Sequence, residues 1–167
     1  AFSGLEWDLG GFYIPFIMFV IIATVNSVNL TDGLDGLSSG VTLIYSLTMG
    51  VIFLYLATAM KNPDGMAQAQ QTQYAAELQS MGVFAAAVAG GCLGFLRYNS
   101  YPARVFMGDT GSLALGGAVA VMAIFSRAVL LLPIMGACFV ASSVSVILQV
   151  GSYKTRKKRI FKMAPLH

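Results

Sequence analysis

This sequence predicts an all-α membrane protein, a polytopic bundle of about five transmembrane helices, and three observations carry that reading. Hydrophobic residues make up 57% of the chain and charged residues only 10%, with a mean hydropathy of +0.75, well outside the range of water-soluble domains. Apolar runs long enough to span a bilayer, about 20 residues at about 1.5 Å each, alternate with short polar breaks, and 167 residues hold about five of them. The basic residues gather beside span ends instead of covering a soluble face. The net charge of +3 therefore reads as a topology signal, and nucleic acid is excluded as a partner in favour of the lipid bilayer.

The lead carries Glu6, Asp8 and Trp7, and Trp7 with Phe12 and Tyr13 suits a headgroup-level aromatic belt. Because the first residue is Ala1, with no basic n-region, and the last is His167, the expectation is a single transmembrane catalytic domain fragment over residues 1–167, cut from a longer chain. A first span is expected at about 12–28, with Pro15 near its start where a missing N–H does little harm. Ser38 and Ser39 are expected to cap a second span at about 40–60, which closes at the turn-forming Lys61-Asn62-Pro63-Asp64-Gly65. Residues 66–81, rich in Gln and Ala, read as a short surface helix. A third span at about 82–96 carries Gly90, Gly91 and Gly94, small residues that permit close helix approach. A fourth follows at about 111–125 and a fifth at about 128–149, where Pro133 is a kink or a start. Cys92 and Cys138 both fall in apolar spans without metal-ligand spacing, so packing is their expected role.

Five crossings alternate sides, which places residues 29–39, 97–110 and 150–167 on one face. That face holds Arg97, Arg104 and the basic tail Lys154, Arg156, Lys157, Lys158, Arg159 and Lys162, against Lys61 and Arg127 opposite. By the positive-inside tendency it is the cytoplasmic one. The tail reads as an orientation signal in contact with anionic lipid that also draws in anionic substrates.

The same face collects the candidate chemistry. Asn26-Ser27-Val28-Asn29-Leu30-Thr31-Asp32-Gly33-Leu34-Asp35-Gly36 follows a run with no charge from Leu9 through Thr31. A bare charge in hydrocarbon costs several kcal/mol, so ionisable groups at membrane depth point to function. Asp32 and Asp35, with Asn29 a turn earlier, are neighbours if the helix continues through them. Capping alone would account for one Asp; Asn29, Asp32 and Asp35 interleaved with glycines read as one wall of a cation-assisted phosphate site. In Phe106-Met107-Gly108-Asp109-Thr110-Gly111-Ser112, Asp109 lies just before an apolar helix, where a carboxylate can bind Mg²⁺ while the helix start faces phosphate oxygens. Its bland alternative is an N-cap with Thr110 and Ser112 assisting. Phe106 is either a nucleobase platform or a belt residue, and Asn99 either a base or sugar contact or a helix cap.

Three stretches resemble a known family: Asn-Leu-Thr-Asp-Gly-Leu-Asp-Gly-Leu at 29–37, Phe-Met-Gly-Asp-Thr-Gly-Ser-Leu at 106–113 and Phe-Lys-Met-Ala-Pro-Leu-His at 161–167. They are similar to the phospho-N-acetylmuramoyl-pentapeptide transferases, bacterial inner-membrane enzymes of the polyprenyl-phosphate N-acetylhexosamine-1-phosphate transferase superfamily. The resemblance implies the middle to late part of a ten-helix enzyme that transfers phospho-MurNAc-pentapeptide from UDP-MurNAc-pentapeptide to undecaprenyl phosphate, giving lipid I and UMP with Mg²⁺. By motif position it implies that Asp109 binds Mg²⁺ and that Phe106 stacks on uracil. Asn29, Asp32, Gly33, Leu34, Asp35 and Asn99 match the nucleoside and phosphate pocket, with Asp32 also catalytic, and His167 matches the first residue of a catalytic histidine triplet. The family's adjacent Asp-Asp pair, its remaining histidines and its final helix are absent from these residues, so the missing N-terminal part of the same enzyme is an expected partner; a homodimer is also kept open. A sibling transferase using UDP-GlcNAc is the nearest rival, with residues 161–167 the main argument against it. An ion-coupled transporter is the rival of another class, and it predicts carboxylates near mid-bilayer.

Overall fold

A computed structural model describes residues 10–59, 68–127, 129–157, 160–161 and 164–165. Helices dominate, and no strand occurs among the described residues. They are α1 (Tyr13–Thr31), α2 (Leu37–Ala59), α3 (Gln68–Asn99), α4 (Gly108–Phe125), a short α5 (Leu132–Met135) and α6 (Ala137–Arg156). All but α5 are long and apolar enough to cross a bilayer, and the molecule is a multi-pass membrane protein. Val28, Tyr45, Met49, Phe53, Leu78, Ala85, Val119, Met122 and Phe139, from all five long helices, form the main core. Residues such as Ile14, Ile22, Ile44, Val51, Val83 and Ile147 are exposed, as suits surfaces whose solvent is lipid.

α3 is longer than the apolar pattern indicates. The expected surface helix at 66–81 and the expected span at 82–96 are one continuous helix of 32 residues. Residues 68–81 contain neither Gly nor Pro and consist largely of strong helix formers, so nothing in them stops the helix. The fifth span is displaced in the opposite sense. Pro133 starts α5, and Gly136, at φ −101° and ψ 33°, separates it from α6, so the last long helix begins at Ala137, later than expected.

Three further expectations are corrected. Among the described residues nothing lies near a Cβ at Gly90, Gly91 or Gly94; the mid-helix glycines that meet a neighbouring helix are Gly50 beside Ala85, Gly82 beside Leu54 and Gly116 beside Val25. Ser38 and Ser39 are not caps, because Gly36, at φ +74°, turns the chain so that both serines enter α2 fully buried. A Cβ on Gly36 would stand 3.3 Å from Leu96 Cδ2, so the turn needs glycine for space as well as for φ. Cys92 is buried as expected, whereas Cys138 lies on the exposed side of α6.

α1 and α3 end, and α2 and α4 begin, at the same end of the bundle: the Gly36 N–H donates to Asn99 Oδ1 at 3.0 Å, and Asn29 reaches Asp109. α6 starts at the far end and runs back toward this one beside α1, where Ser143 Oγ donates to Ser27 Oγ at 2.7 Å. Arg97 and Arg104 flank the site end. At the other end the Arg127 guanidinium lies 5.2 Å from the Tyr74 ring centroid, and Lys61 lies outside the described residues.

Candidate active site

α1 stops at Thr31 because Asp32 leaves helical geometry, at φ −80° and ψ 50°, with its N–H on the Asn29 carbonyl. The helix therefore does not continue through Asp32 and Asp35, and their three-residue spacing does not stack them on a helical face. Asp35 turns toward the 100–107 loop, where its Oδ2 accepts from the Ala103 N–H at 2.9 Å. Asp32 stays with Asp109. Burial, and then the Asp109 charge, push the Asp32 carboxyl above its ordinary value.

Asp109 sits in the first turn of α4, where the positive end of the helix dipole favours a carboxylate. No side-chain cap precedes it. Ser112 instead belongs to a bridge between α1 and α4: Asn29 Nδ2 donates to Asp109 Oδ1 at 3.1 Å and to Ser112 Oγ at 2.9 Å, and the Ser112 hydroxyl turns its proton to the Gly108 or Asp109 carbonyl. Gly108 adopts φ +69°, which aims the helix start at the cleft. Gly111 leaves room for the Met107 side chain packed over it.

Asn99 joins the other elements. It is buried, its Oδ1 accepts from the Gly36 N–H and from Ser39 Oγ, both at 3.0 Å, and its Nδ2 donates to the Val105 carbonyl at 3.0 Å. One carboxamide thus ties the end of α3, the start of α2 and the loop before α4. Asn99→Ala leaves the buried Ser39 hydroxyl, the part-buried Gly36 N–H and the Val105 carbonyl without this partner, at about 1–3 kcal/mol each before relaxation. Its expected result is a melting temperature lower by about 6 °C or more in detergent. Asn99→Asp keeps both acceptor contacts and should fall between the two; equal melting of all three proteins would remove Asn99 from this role.

The result is one open cleft of about 220 Å³ lined by Asn29, Asp32, Gly33, Leu34, Asp35, Asn99, Phe106, Met107, Gly108 and Asp109. It brings together every candidate from the first and second motifs. Phe106 is 74% exposed, leaving a ring face free at the cleft. Met107 and Gly108 were not foreseen as lining residues, although their place between Phe106 and Asp109 was a signal for both. His167 lies outside the described residues.

The donor set suits a hard divalent cation completed by a ligand's own oxygens. Among the described residues no group of three or more His, Cys, Asp or Glu side chains could hold a metal by itself. Mg²⁺, however, binds through one or two carboxylates plus substrate phosphates, and Asp109 lies close enough to Asp32 for its charge to raise the Asp32 carboxyl. Since the folded-state pKa of Asp32 is raised, its favourable contribution to stability is present below the ordinary carboxylate range and is lost as pH rises through the raised value. The Asp109 charge disfavours the ionised form of Asp32. In chelator, Asp32→Asn is therefore expected to melt about 2 °C above the parent protein, for a screened repulsion under about 1 kcal/mol. Added Mg²⁺ should raise the parent's melting temperature and leave the variant's unchanged; identical Mg²⁺ responses would exclude Asp32 from cation binding.

Similarity to known proteins points the same way. The chain is 52% identical over 160 residues to the phospho-N-acetylmuramoyl-pentapeptide-transferase of Caldanaerobacter subterraneus subsp. tengcongensis, covering 96% of this chain and 44% of that one. It is 51% identical over 166 residues to that of Clostridioides difficile (strain 630), covering 99% and 46%. At 46% identity over 165 residues, the Moorella thermoacetica protein of the same name covers 99% and 46%. The chain thus spans about half the length of the curated relatives it matches. Residues 1–127 match the sequence profile of Glycosyl transferase family 4, and with that match extending through both motifs that build the cleft, the chain belongs to glycosyl transferase family 4.

Proposed function

We propose that this chain forms the nucleotide-sugar face of a phospho-sugar transferase, one that moves phospho-MurNAc-pentapeptide from UDP-MurNAc-pentapeptide to undecaprenyl phosphate with release of UMP and formation of lipid I. The observation that carries the reading is the Asn29 to Asp109 hydrogen bond, which joins two motifs 80 residues apart into one cleft shared with Asp32. The names of the relatives support the substrate pair. The Arg97, Arg104 and Lys154 side of the bundle supports a cleft on the cytoplasmic side of a bacterial inner membrane.

In this reaction an oxygen of the acceptor phosphate attacks the phosphorus that carries the sugar, the P–O bond to the uridine phosphate breaks, and the electron pair leaves on UMP. Phe106 offers a flat ring for the uracil, and Leu34 an apolar contact beside it. Asn29 holds the Asp109 carboxylate in place through a bond anchored by Ser112, so the charge facing the diphosphate does not reorient during turnover. Asp109, with Asp32 opposite, would hold Mg²⁺, which supplies charge neutralisation for the diphosphate and the departing phosphate. Because the acceptor is a lipid, a cleft at the end of the bundle, and not at mid-bilayer, is where donor and acceptor can meet.

The test is an assay of the full-length enzyme in vesicles containing undecaprenyl phosphate. Incubation with UDP-MurNAc-pentapeptide and Mg²⁺ should give a lipid-linked product and UMP in equal amounts, and chelation should stop both. Product from UDP-GlcNAc and none from UDP-MurNAc-pentapeptide would establish the sibling reading instead. Solute uptake without UMP release would establish a transporter.

A further inference from the structure

Residues 100–107 join α3 to α4 as an irregular loop, and loops are ordinarily the more mobile parts of a fold. This one is pinned directly before Phe106. The Arg104 and Val105 N–H groups donate to the Tyr98 carbonyl at 2.8 and 3.3 Å, and the Val105 carbonyl accepts from Asn99 Nδ2 at 3.0 Å, so the loop closes on its own root. Pro102 has no N–H to offer. The Ala103 N–H leaves the loop altogether and donates to Asp35 Oδ2 at 2.9 Å.

That bond has a crossed counterpart. Asp35, in the turn between α1 and α2, accepts from the backbone of the loop, while Asn99, at the root of the loop, accepts from the Gly36 backbone of the turn. A loop tied only at Asn99 could still swing about that point; the second tie at Asp35 fixes its orientation against the turn. Phe106 is three residues from Ala103, and Asp32 is three residues from Asp35, so each is within about 10 Å of chain from this clasp. Asp32, Asp35 and Phe106 all line the cleft.

We infer that Asp35 is a positioning residue for the ring of Phe106: its carboxylate acts through the Ala103 N–H and the loop, holding that ring at a set reach from Asp32 and Asp109, and does not itself bind the cation or the diphosphate. A nucleotide then meets ring and carboxylates already spaced, without the cost of ordering the loop. The ring contact is made in the ground state as well as in the transition state, so loosening the loop weakens nucleotide binding and leaves the chemical step alone. For its catalytic consequence the inference rests on the transferase reading above.

Two substitutions in the full-length enzyme separate this latch from a direct ligand. Asp35→Ala removes the acceptor, whereas Asp35→Asn removes the charge and keeps an oxygen that can accept from Ala103. Amide hydrogen exchange at residues 103–105 should accelerate at least about tenfold in Asp35→Ala and stay near the parental rate in Asp35→Asn. With UDP-MurNAc-pentapeptide, KM should rise at least about tenfold in Asp35→Ala while kcat moves less than about threefold, and Asp35→Asn should restore KM. On a Phe106→Ala background, Asp35→Ala should raise KM less than about twofold further, because no ring is left to misplace. Parental exchange or parental KM in Asp35→Ala, a KM in Asp35→Asn as high as in Asp35→Ala, a loss confined to kcat, or multiplying losses in the double variant would each overturn the inference. If the parent enzyme yields no lipid-linked product, the transferase reading falls, and the exchange measurement still accepts or rejects the latch.

Discussion

Asp109→Asn in the full-length enzyme is expected to lower turnover by at least about a thousandfold at saturating Mg²⁺, while the protein stays folded. The substitution is isosteric, and its carboxamide oxygen can still accept from Asn29 Nδ2, so the bridge between α1 and α4 survives. What disappears is the negative charge at the first turn of α4. That charge is the one that faces Asp32, and it is the proposed anchor for the cation between protein and diphosphate. Its loss should appear in kcat and in the Mg²⁺ concentration giving half-maximal rate, with the melting temperature in chelator equal to or above the parent's because a like-charge repulsion is relieved. A variant within about tenfold of parental turnover would take Asp109 out of the chemistry.

The second large effect is expected at Gly116, about two turns of α4 beyond Asp109 and outside the cleft lining. A Cβ there would sit 2.6 Å from Val25 Cα and 3.0 Å from the Val25 carbonyl oxygen, and backbone atoms in a packed helix cannot step aside as a flexible side chain can. Val25 is one turn before Asn29 on α1, and Gly116 is one turn after Ser112 on α4. The Val25–Gly116 contact and the Asn29–Ser112 bond are therefore successive rungs of one interface. Gly116→Ala should cost about 3 kcal/mol through overpacking and, by spreading the rung above by a fraction of an ångström to about 1 Å, slow turnover about a hundredfold. Gly117, one position on, has nothing within 4 Å of its Cβ position among the described residues, so Gly117→Ala should match the parent in both measurements. Thermal unfolding and steady-state kinetics on the pair decide it: equal behaviour of the two alanine variants would mean that α1 and α4 are not held at this distance by Gly116.

The difference between those adjacent glycines marks the boundary of what could be read without coordinates. The close-approach signal in the sequence fell on Gly90, Gly91 and Gly94, which meet nothing among the described residues, while Gly116 carries the tightest helix contact. A glycine announces that approach is permitted, and only the neighbouring helix says whether it occurs. Asn99 is a similar case. Motif position put it among the pocket residues, and it does line the cleft, yet its oxygen is taken by Gly36 and Ser39 and its nitrogen by Val105. Ser39, read as a cap, proves to be a partner of that same amide. Each of these reassignments involves a contact between residues about 60 or more positions apart, beyond the reach of any local pattern.

Hydropathy needs no partner to be read, since the free energy of moving a stretch of side chains into lipid is nearly a sum over those side chains. The helical membrane class and the polar breaks carrying Asn29, Asp32, Phe106 and Asp109 were accordingly legible from the residues in order. Hydrogen bonds and backbone approach are properties of pairs. That Asp32 turns to Asp109 and Asp35 to Ala103, and that Val25 needs a glycine opposite, were settled when the helices packed, because folding chooses among many chemically adequate partners by geometry.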